Sequence, residues 1–280
     1  MCIRDSFYIY YRDLAVLIGA GMTPTEIMLG FLAKTGEPLS GARQFPVHGA
    51  DPKRGIYNIS NVVGTQIPQA VGAALASKMN NEDRVVITYF GDGASSQGDC
   101  HEAMNFASIH RLPVIFFCEN NKYAISVPLS KQVAGGSVAS RAGGYGIPGV
   151  LVDGHDVLAV YEATVEAALR ARLGDGPTMI EAMVDRYMPH TSDDDDTKYR
   201  AKAEIDEAKK SDPLKILKEH LEYIGLLTKE AEMSILEAAT GAVNEATEIA
   251  EAAPYANPKG FFDHVYSCLL YTSPSPRDRG

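Results

Sequence analysis

Four apolar runs of strand length constrain this chain most: "RVVITYF" (Arg84 to Phe90), "PVIFFC" (Pro113 to Cys118), "GVLVDG" (Gly149 to Gly154) and "PTMIEAMV" (Pro177 to Val184). They are rich in Val, Ile and Phe and do not alternate apolar with polar residues, as strands covered on both faces should read. Helical segments separate them. "TQIPQAVGAALASKMN" precedes the first run and "GDCHEAMNFASIHR" fills the gap to the second. "DVLAVYEATVEAALRARLGDG" follows the third, with apolar residues at Val157, Val160, Tyr161, Val165, Ala168 and Leu169 and a stop at Gly174. Strand alternating with helix predicts an α/β fold built on a mostly parallel, doubly wound sheet. After about Arg200 the strand signals stop. "DPLKILKEHLEYIGLLTKEAEMSILEAATGAVNEATEIAEAA" predicts two or more helices, opened by Asp212 as cap with Pro213 in the first turn.

The ends are set apart. "MCIRDS" and "YTSPSPRDRG" carry no periodicity and resemble translated adapter scars. The organisation expected is a scar over 1–6, an α/β domain over 7–205, a helical segment of the same unit over 206–266, and a non-native tail over 267–280. Net charge is −10 without a basic block that would track a phosphate backbone, which disfavours nucleic-acid binding. No apolar run reaches the roughly 18 residues of a bilayer span. Cys2, Cys100, Cys118 and Cys268 are scattered, which suits free thiols in a reducing, cytoplasmic setting.

Two short motifs sit at strand ends. Gly91-Asp92-Gly93 closes the first apolar run, and Asn120-Asn121 closes the second, one helix and one strand later. In an open parallel sheet, ligands bind beyond that edge. Glycine admits close approach of a phosphate, and the helix that follows offers unpaired N–H groups to an anion. Asp92 is a hard oxygen ligand for Mg2+, and an amide oxygen from the Asn pair can complete an octahedron with diphosphate oxygens and water. Either motif alone reads as a plain turn; the interval carries the signal. A Rossmann glycine loop fails because Ser96 stands where a third glycine is needed, and a Gly-x-Ser-x-Gly hydrolase elbow fails at Gln97.

With the flanking text "GARQFPVHGA", "TQIPQAVGAA", "YFGDGASSQGD", "CENNKYAISVP" and "RYMPHTSDDDDTKYR", the pattern resembles the alpha subunits of thiamine diphosphate-dependent branched-chain 2-oxo acid dehydrogenases, over about Tyr10 to Tyr266. The resemblance implies a fold of the thiamine diphosphate-binding type. It implies oxidative decarboxylation of a small-molecule 2-oxo acid of the 2-oxoisovalerate type, with acyl transfer to the lipoyl domain of a dihydrolipoyl acyltransferase. The partner implied is a beta subunit in an α2β2 assembly. Pyruvate or acetoin dehydrogenase alpha subunits are the nearest alternative, and a non-catalytic cofactor-binding or scaffold subunit is another.

The resemblance also implies site residues. Asp92, Asn121 and the backbone carbonyl of Tyr123 would hold Mg2+. Gly91, Gly93 and Ala94 would line the diphosphate, with Tyr11 and Arg12 beside it. Asn61 and Val63 would contact the aminopyrimidine. His190 would act at the cofactor and substrate, and Arg186 would order its loop by ion pairing. Ser60, Thr65 and Gln66 match a structural K+ site in some members. Thr191 or Ser192 falls where animal relatives are phosphorylated, and His48 is a candidate for substrate contact. His101, His110 and His155 are assigned to structure, and Cys100 and Cys118 to packing. Glu119 departs from relatives that carry a diphosphate-binding Arg there.

Overall fold

The computed structural model describes residues 5–260, except the side chain of Asn58. In chain order the elements are β1 (Ser6–Tyr8), α1 (Leu14–Gly19), α2 (Pro24–Phe31), β2 (Gly49–Asp51), β3 (Ile56–Ile59), α3 (Gln66–Met79), β4 (Val86–Gly91), α4 (Gly98–Ile109) and β5 (Val114–Asn120). There follow β6 (Tyr123–Ala124), β7 (Val127–Pro128), β8 (Gly149–Asp153), α5 (Val157–Arg172), β9 (Thr178–Met183), α6 (Lys202–Ala208), α7 (Pro213–Tyr223) and α8 (Lys229–Ala252). Seven strands form one sheet in the order β2-β3-β1-β4-β5-β9-β8, and β6 and β7 make a separate hairpin. All pairings in the large sheet are parallel except β2 with β3.

The non-alternating apolar runs are explained by cover on both faces. Val86, Phe90, Val114, Phe116, Cys118 and Met179 point into one core with α3 and α4. Ile87, Ile115, Phe117 and Ile180 point into the other, against α5. A third cluster joins Ile56 and Ile59 to Leu17 and Ile27 of α1 and α2. Burial of each such side chain stabilises by about 1.5–3 kcal/mol, so successive residues of β4 and β5 all contribute.

Three differences from the sequence expectations have physical causes. β1, β2 and β3 have only three or four residues each, too short to show a period. Asp5 and Ser6, set aside with the N-terminal scar, are built into the sheet: Ser6 pairs with Val86, Val85 N donates to Asp5 Oδ1 at 3.0 Å, and Arg172 reaches Asp5 Oδ1 at 2.8 Å. The helical segment begins at Lys202, so a boundary at 205/206 falls within α6. The tail over 267–280, and residues 261–266 of the helical segment, lie outside the described residues.

Asp212 caps α7 by accepting from Leu214 N at 2.9 Å, with Pro213 in the first turn. α8 then returns to pack on α2. The chain runs from β1 leftward to β3, then crosses to β4 on the other side of β1. This reversal opens a crevice at the C-terminal ends of β1 and β4, where open α/β sheets bind ligands.

Candidate active site

β4 ends at Gly91 and delivers Asp92 into a short 3-10 turn, Asp92–Ser96, at the crevice. Asp92 is 1% exposed and accepts at Oδ2 from Gln132 Nε2 at 2.7 Å. Burial raises its carboxyl above the usual range, against the opposing pull of Gln132, Arg12 and Arg186. A carboxylate so poorly solvated favours a cation. Gly93 is required by close approach: a Cβ there would meet Ala124 Cβ at 2.8 Å, so the β6 hairpin presses onto the turn only because Gly93 lacks one.

In the parallel register Gly91 stands opposite Glu119, which sets Asn120 and Asn121 on the same rim as Asp92. Asn121 Oδ1 accepts from Tyr123 N at 3.1 Å, and Lys122 adopts φ 71°, a left-handed turn that launches the hairpin. Tyr10, Tyr11 and Arg12 follow β1 on that rim, with the Arg12 guanidinium 5.8 and 5.4 Å from the two ring centroids. Beneath them Tyr10 OH donates to Glu119 Oε2 at 2.7 Å, while Tyr10 N donates to Asp13 Oδ2 at 2.9 Å. Asp13 and Glu119 meet carboxyl to carboxyl, and burial first, then each other's charge, holds Asp13 above the usual carboxylate range.

These ends enclose one cavity of about 240 Å³. Of the residues singled out in the sequence, it gathers Tyr11, Arg12, Val63, Gly91, Asp92, Gly93, Ala94, Asn121, Tyr123 and His190. His190 lies with its ring centroid 6.3 Å from Tyr11, and burial, then Arg12 and Arg186, lowers its pKa below the ordinary value. Asp92 is the one carboxylate among the described lining residues, and among them no cluster of three His, Cys, Asp or Glu occurs. One carboxylate, amide and carbonyl oxygens and a nearby guanidinium suit Mg2+ escorted by a diphosphate, since the diphosphate itself supplies the missing hard oxygens.

Asn61 and Arg186 are not brought in. Asn61 Oδ1 pairs with His48 Nε2 at 2.6 Å and lines a neighbouring cavity of about 630 Å³ that shares Ser60 and Val62 with this one. Arg186 lines an adjacent cavity and orders the His190 loop through neutral partners, Tyr199 OH at 2.8 Å and Ile125 O at 3.0 Å, not through an ion pair. Tyr199 OH passes the contact to Asp194, whose Oδ2 also accepts from His190 N at 2.7 Å. Ser60 and Gln66 line the main cavity, while Thr65 Oγ1 donates to Val62 O at 3.0 Å and Gln66 Nε2 to Tyr89 O at 2.8 Å.

Residues 3–259 match the family described as "Dehydrogenase E1 component". The chain belongs to the dehydrogenase E1 component family. It is 52% identical over 266 residues to "2-oxoisovalerate dehydrogenase subunit alpha" of Bacillus subtilis (strain 168), covering 94% of this chain and 81% of that one. It is 38% identical over 268 residues to "3-methyl-2-oxobutanoate dehydrogenase subunit alpha" of Mycobacterium tuberculosis (strain ATCC 25618 / H37Rv), covering 95% and 70%. Against "2-oxoisovalerate dehydrogenase subunit alpha, mitochondrial" of Homo sapiens it is 43% identical over 263 residues, covering 94% of this chain and 59% of the relative.

Within this E1 chain, sequence reasoning missed Gln132, whose amide grips Asp92 from a loop forty positions on. It missed Tyr10 and Gln97 in the cavity wall and the Asp13–Glu119 pair below it. Glu119 was visible as a departure; its partners lie too far off in the chain to be read from local pattern.

Proposed function

We propose that this chain is the alpha subunit of a branched-chain 2-oxo acid dehydrogenase, and that its cavity seats the diphosphate end of thiamine diphosphate on Mg2+. One observation carries the reading: Asp92 and Asn121, at the C-terminal ends of adjacent parallel strands, line a single cavity with Arg12. When bound, thiamine diphosphate supplies the electron sink for loss of CO2 from a 2-oxo acid.

The chain's own residues bind, orient and shield. Asp92, the Asn121 amide oxygen and the Tyr123 carbonyl would hold the metal. Arg12 would neutralise diphosphate oxygens by charge-assisted hydrogen bonds. Gly93 and Ala94 would allow the backbone to approach the phosphate, and Val63 would pack against the cofactor's ring. His190, whose pKa is lowered by burial and then by Arg12, would offer a ring-nitrogen lone pair to accept a proton from a substrate oxygen. A beta subunit, the partner implied by the relatives' names as alpha subunits, would complete the site. The acyl group passes to the lipoyl arm of an acyltransferase. Among the described residues Cys100 and Cys118 are free thiols, which suits a cytoplasmic enzyme, and no helix is long and apolar enough to cross a membrane.

The test is titration calorimetry with Mg2+ and thiamine diphosphate on the chain paired with its beta subunit. Saturable, Mg2+-dependent binding lost in Asp92→Asn is the expected result, and binding unchanged in that variant refutes the site. Rates on 2-oxoisovalerate, pyruvate and acetoin then fix the substrate, the first being the fastest on this reading.

A further inference from the structure

Asn120, the first residue of the Asn-Asn pair, has no role in the site described above, although it is fully buried at the end of β5. Its side chain is committed at both ends. Asn120 Oδ1 accepts from Lys122 N at 2.8 Å, folding the turn that presents Asn121 and Tyr123. Asn120 Nδ2 donates to Glu181 Oε1 at 2.6 Å. Glu181 lies on β9 opposite Cys118, is 0% exposed, and uses its other oxygen to accept from Ala139 N at 2.7 Å.

Both donors to this carboxylate are neutral, and an apolar side chain in its place would leave Asn120 Nδ2 and Ala139 N buried without an acceptor. The second bond explains what is gained. Ala139 belongs to the segment that carries Gln132 and Arg141. Gln132 Nε2 holds Asp92 Oδ2 at 2.7 Å, and Arg141 Nη1 holds Ser95 O at 2.6 Å and Ser95 Oγ at 2.8 Å, so this segment clamps the Asp92 turn from outside. One oxygen of Glu181 therefore anchors the Asn121 turn and the other anchors the clamp on Asp92.

We propose that Glu181, acting through Asn120 and Ala139, is the positioning residue that holds the two halves of the metal site in register. The inference rests on the reading that Asp92 and Asn121 share a divalent ion. Glu181 touches neither ion nor substrate.

A swap separates this role from mere packing. In E181Q the new amide must face a donor, either Asn120 Nδ2 or Ala139 N. In N120D two carboxylates face each other. In the double variant the introduced amide donates its N–H to the introduced carboxylate, and its oxygen accepts from Ala139 N. The introduced carboxylate still accepts from Lys122 N. Every bond is restored with one direction reversed and charge conserved.

The experiment titrates Mn2+ in the presence of thiamine diphosphate, read by electron paramagnetic resonance, on the chain paired with its beta subunit. Each single variant should weaken Mn2+ binding about 10- to 100-fold, the usual effect of losing a partner behind a metal ligand. The double variant should return to within about threefold of the original chain, a non-additivity that independent sites do not show. Single variants that bind as the original does, or a double variant no better than the worse single, overturn the role. If a single variant fails to fold, the double decides alone: folded and binding supports the proposal, while unfolded or non-binding refutes it. An original chain that binds no Mn2+ removes the metal site itself, and this role with it.

Discussion

At the scale of single residues, the candidate site trades stability for ligand binding. Asp92 is buried with its carboxyl pushed above the usual range, so the folded state holds its proton more tightly than the unfolded one. Such a group contributes stability that is fully present below the unfolded pKa and is lost as pH rises through the folded value. Without a metal, burial of Asp92 is therefore a cost once pH rises above the unfolded value. Asp92→Asn should raise Tm of the ligand-free chain at pH 7 by about 2–4 °C, consistent with relief of roughly 1 kcal/mol, and by less near pH 4. The same variant should abolish the rise in Tm caused by Mg2+ and thiamine diphosphate, which stabilise by mass action. Differential scanning fluorimetry with and without ligand reads both effects. His190 moves the opposite way: burial first, then Arg12 and Arg186, lowers its pKa. Removing positive charge makes protonation easier, so Arg12→Gln should raise the His190 midpoint while burial keeps it below the ordinary value. The histidine Cε1–H resonance followed against pH checks this, and a midpoint that does not move refutes the electrostatic link.

At the scale of elements, the site depends on how a turn, a hairpin and a returning helix are held. Gly93→Ala would push its Cβ into Ala124 Cβ at 2.8 Å, displacing the hairpin that carries Tyr123. Cofactor affinity should fall about 10-fold or more while the sheet core and its thermal transition change little, as expected for a misplacement confined to the site. At the other end of the fold, Lys34 is buried and donates to Glu251 O at 3.2 Å and Ala253 O at 2.8 Å, with Nζ 4.2 Å from the Tyr255 ring centroid. A cation on the last carbonyls of α8 complements the negative end of the helix dipole and satisfies groups that have no intrahelical donor. Lys34→Met should cost about 2 kcal/mol and should selectively lose hydrogen-exchange protection at the C-terminal end of α8. What the sequence made legible follows the same division. β4, β5 and β9 were visible because both faces are buried and the apolar runs are continuous, and Asp92 and Asn121 were visible because they end those runs. β1 and β3 were too short to have a period. Gln132 and Glu181 act through partners distant in the chain, so no local spacing betrays them; Arg186 was named through the resemblance, but its neutral partners, Tyr199 OH and Ile125 O, were not. Local pattern does not separate Asn61 from its neighbours, because residues 60–64 turn: Ser60 and Val62 line both cavities, while Asn61 lines the neighbouring one.

At the scale of the whole molecule, the surface does not match its charge. A net charge of −10 favours a soluble monomer, yet Val157, Leu158, Tyr161, Val165 and Leu169 are all exposed on α5. Their spacing returns close to one helical face every three or four residues, so they form a stripe and not scattered exposures. Met233, Leu236 and Val243 do the same on α8. Contiguous apolar stripes of this kind mark interfaces. Val62 and Val63, which line the cavity, are exposed as well, at 62% and 49%. Purified alone, the chain should bind a hydrophobic dye, self-associate with rising salt and show no decarboxylation of 2-oxoisovalerate. Co-expressed with a beta subunit, it should elute as an α2β2 particle by light scattering, lose most of the dye signal and gain turnover. Tyr161→Glu with Leu169→Glu places charge on the α5 stripe without touching the cavity. If that stripe is covered in the assembly, burying two unpaired carboxylates should shift the subunit equilibrium at least about 10-fold toward free chains. Turnover per assembled particle should stay unchanged. Full assembly in that variant would move the interface to α8, and normal Mg2+-dependent decarboxylation by the isolated chain would show that this subunit completes its own site.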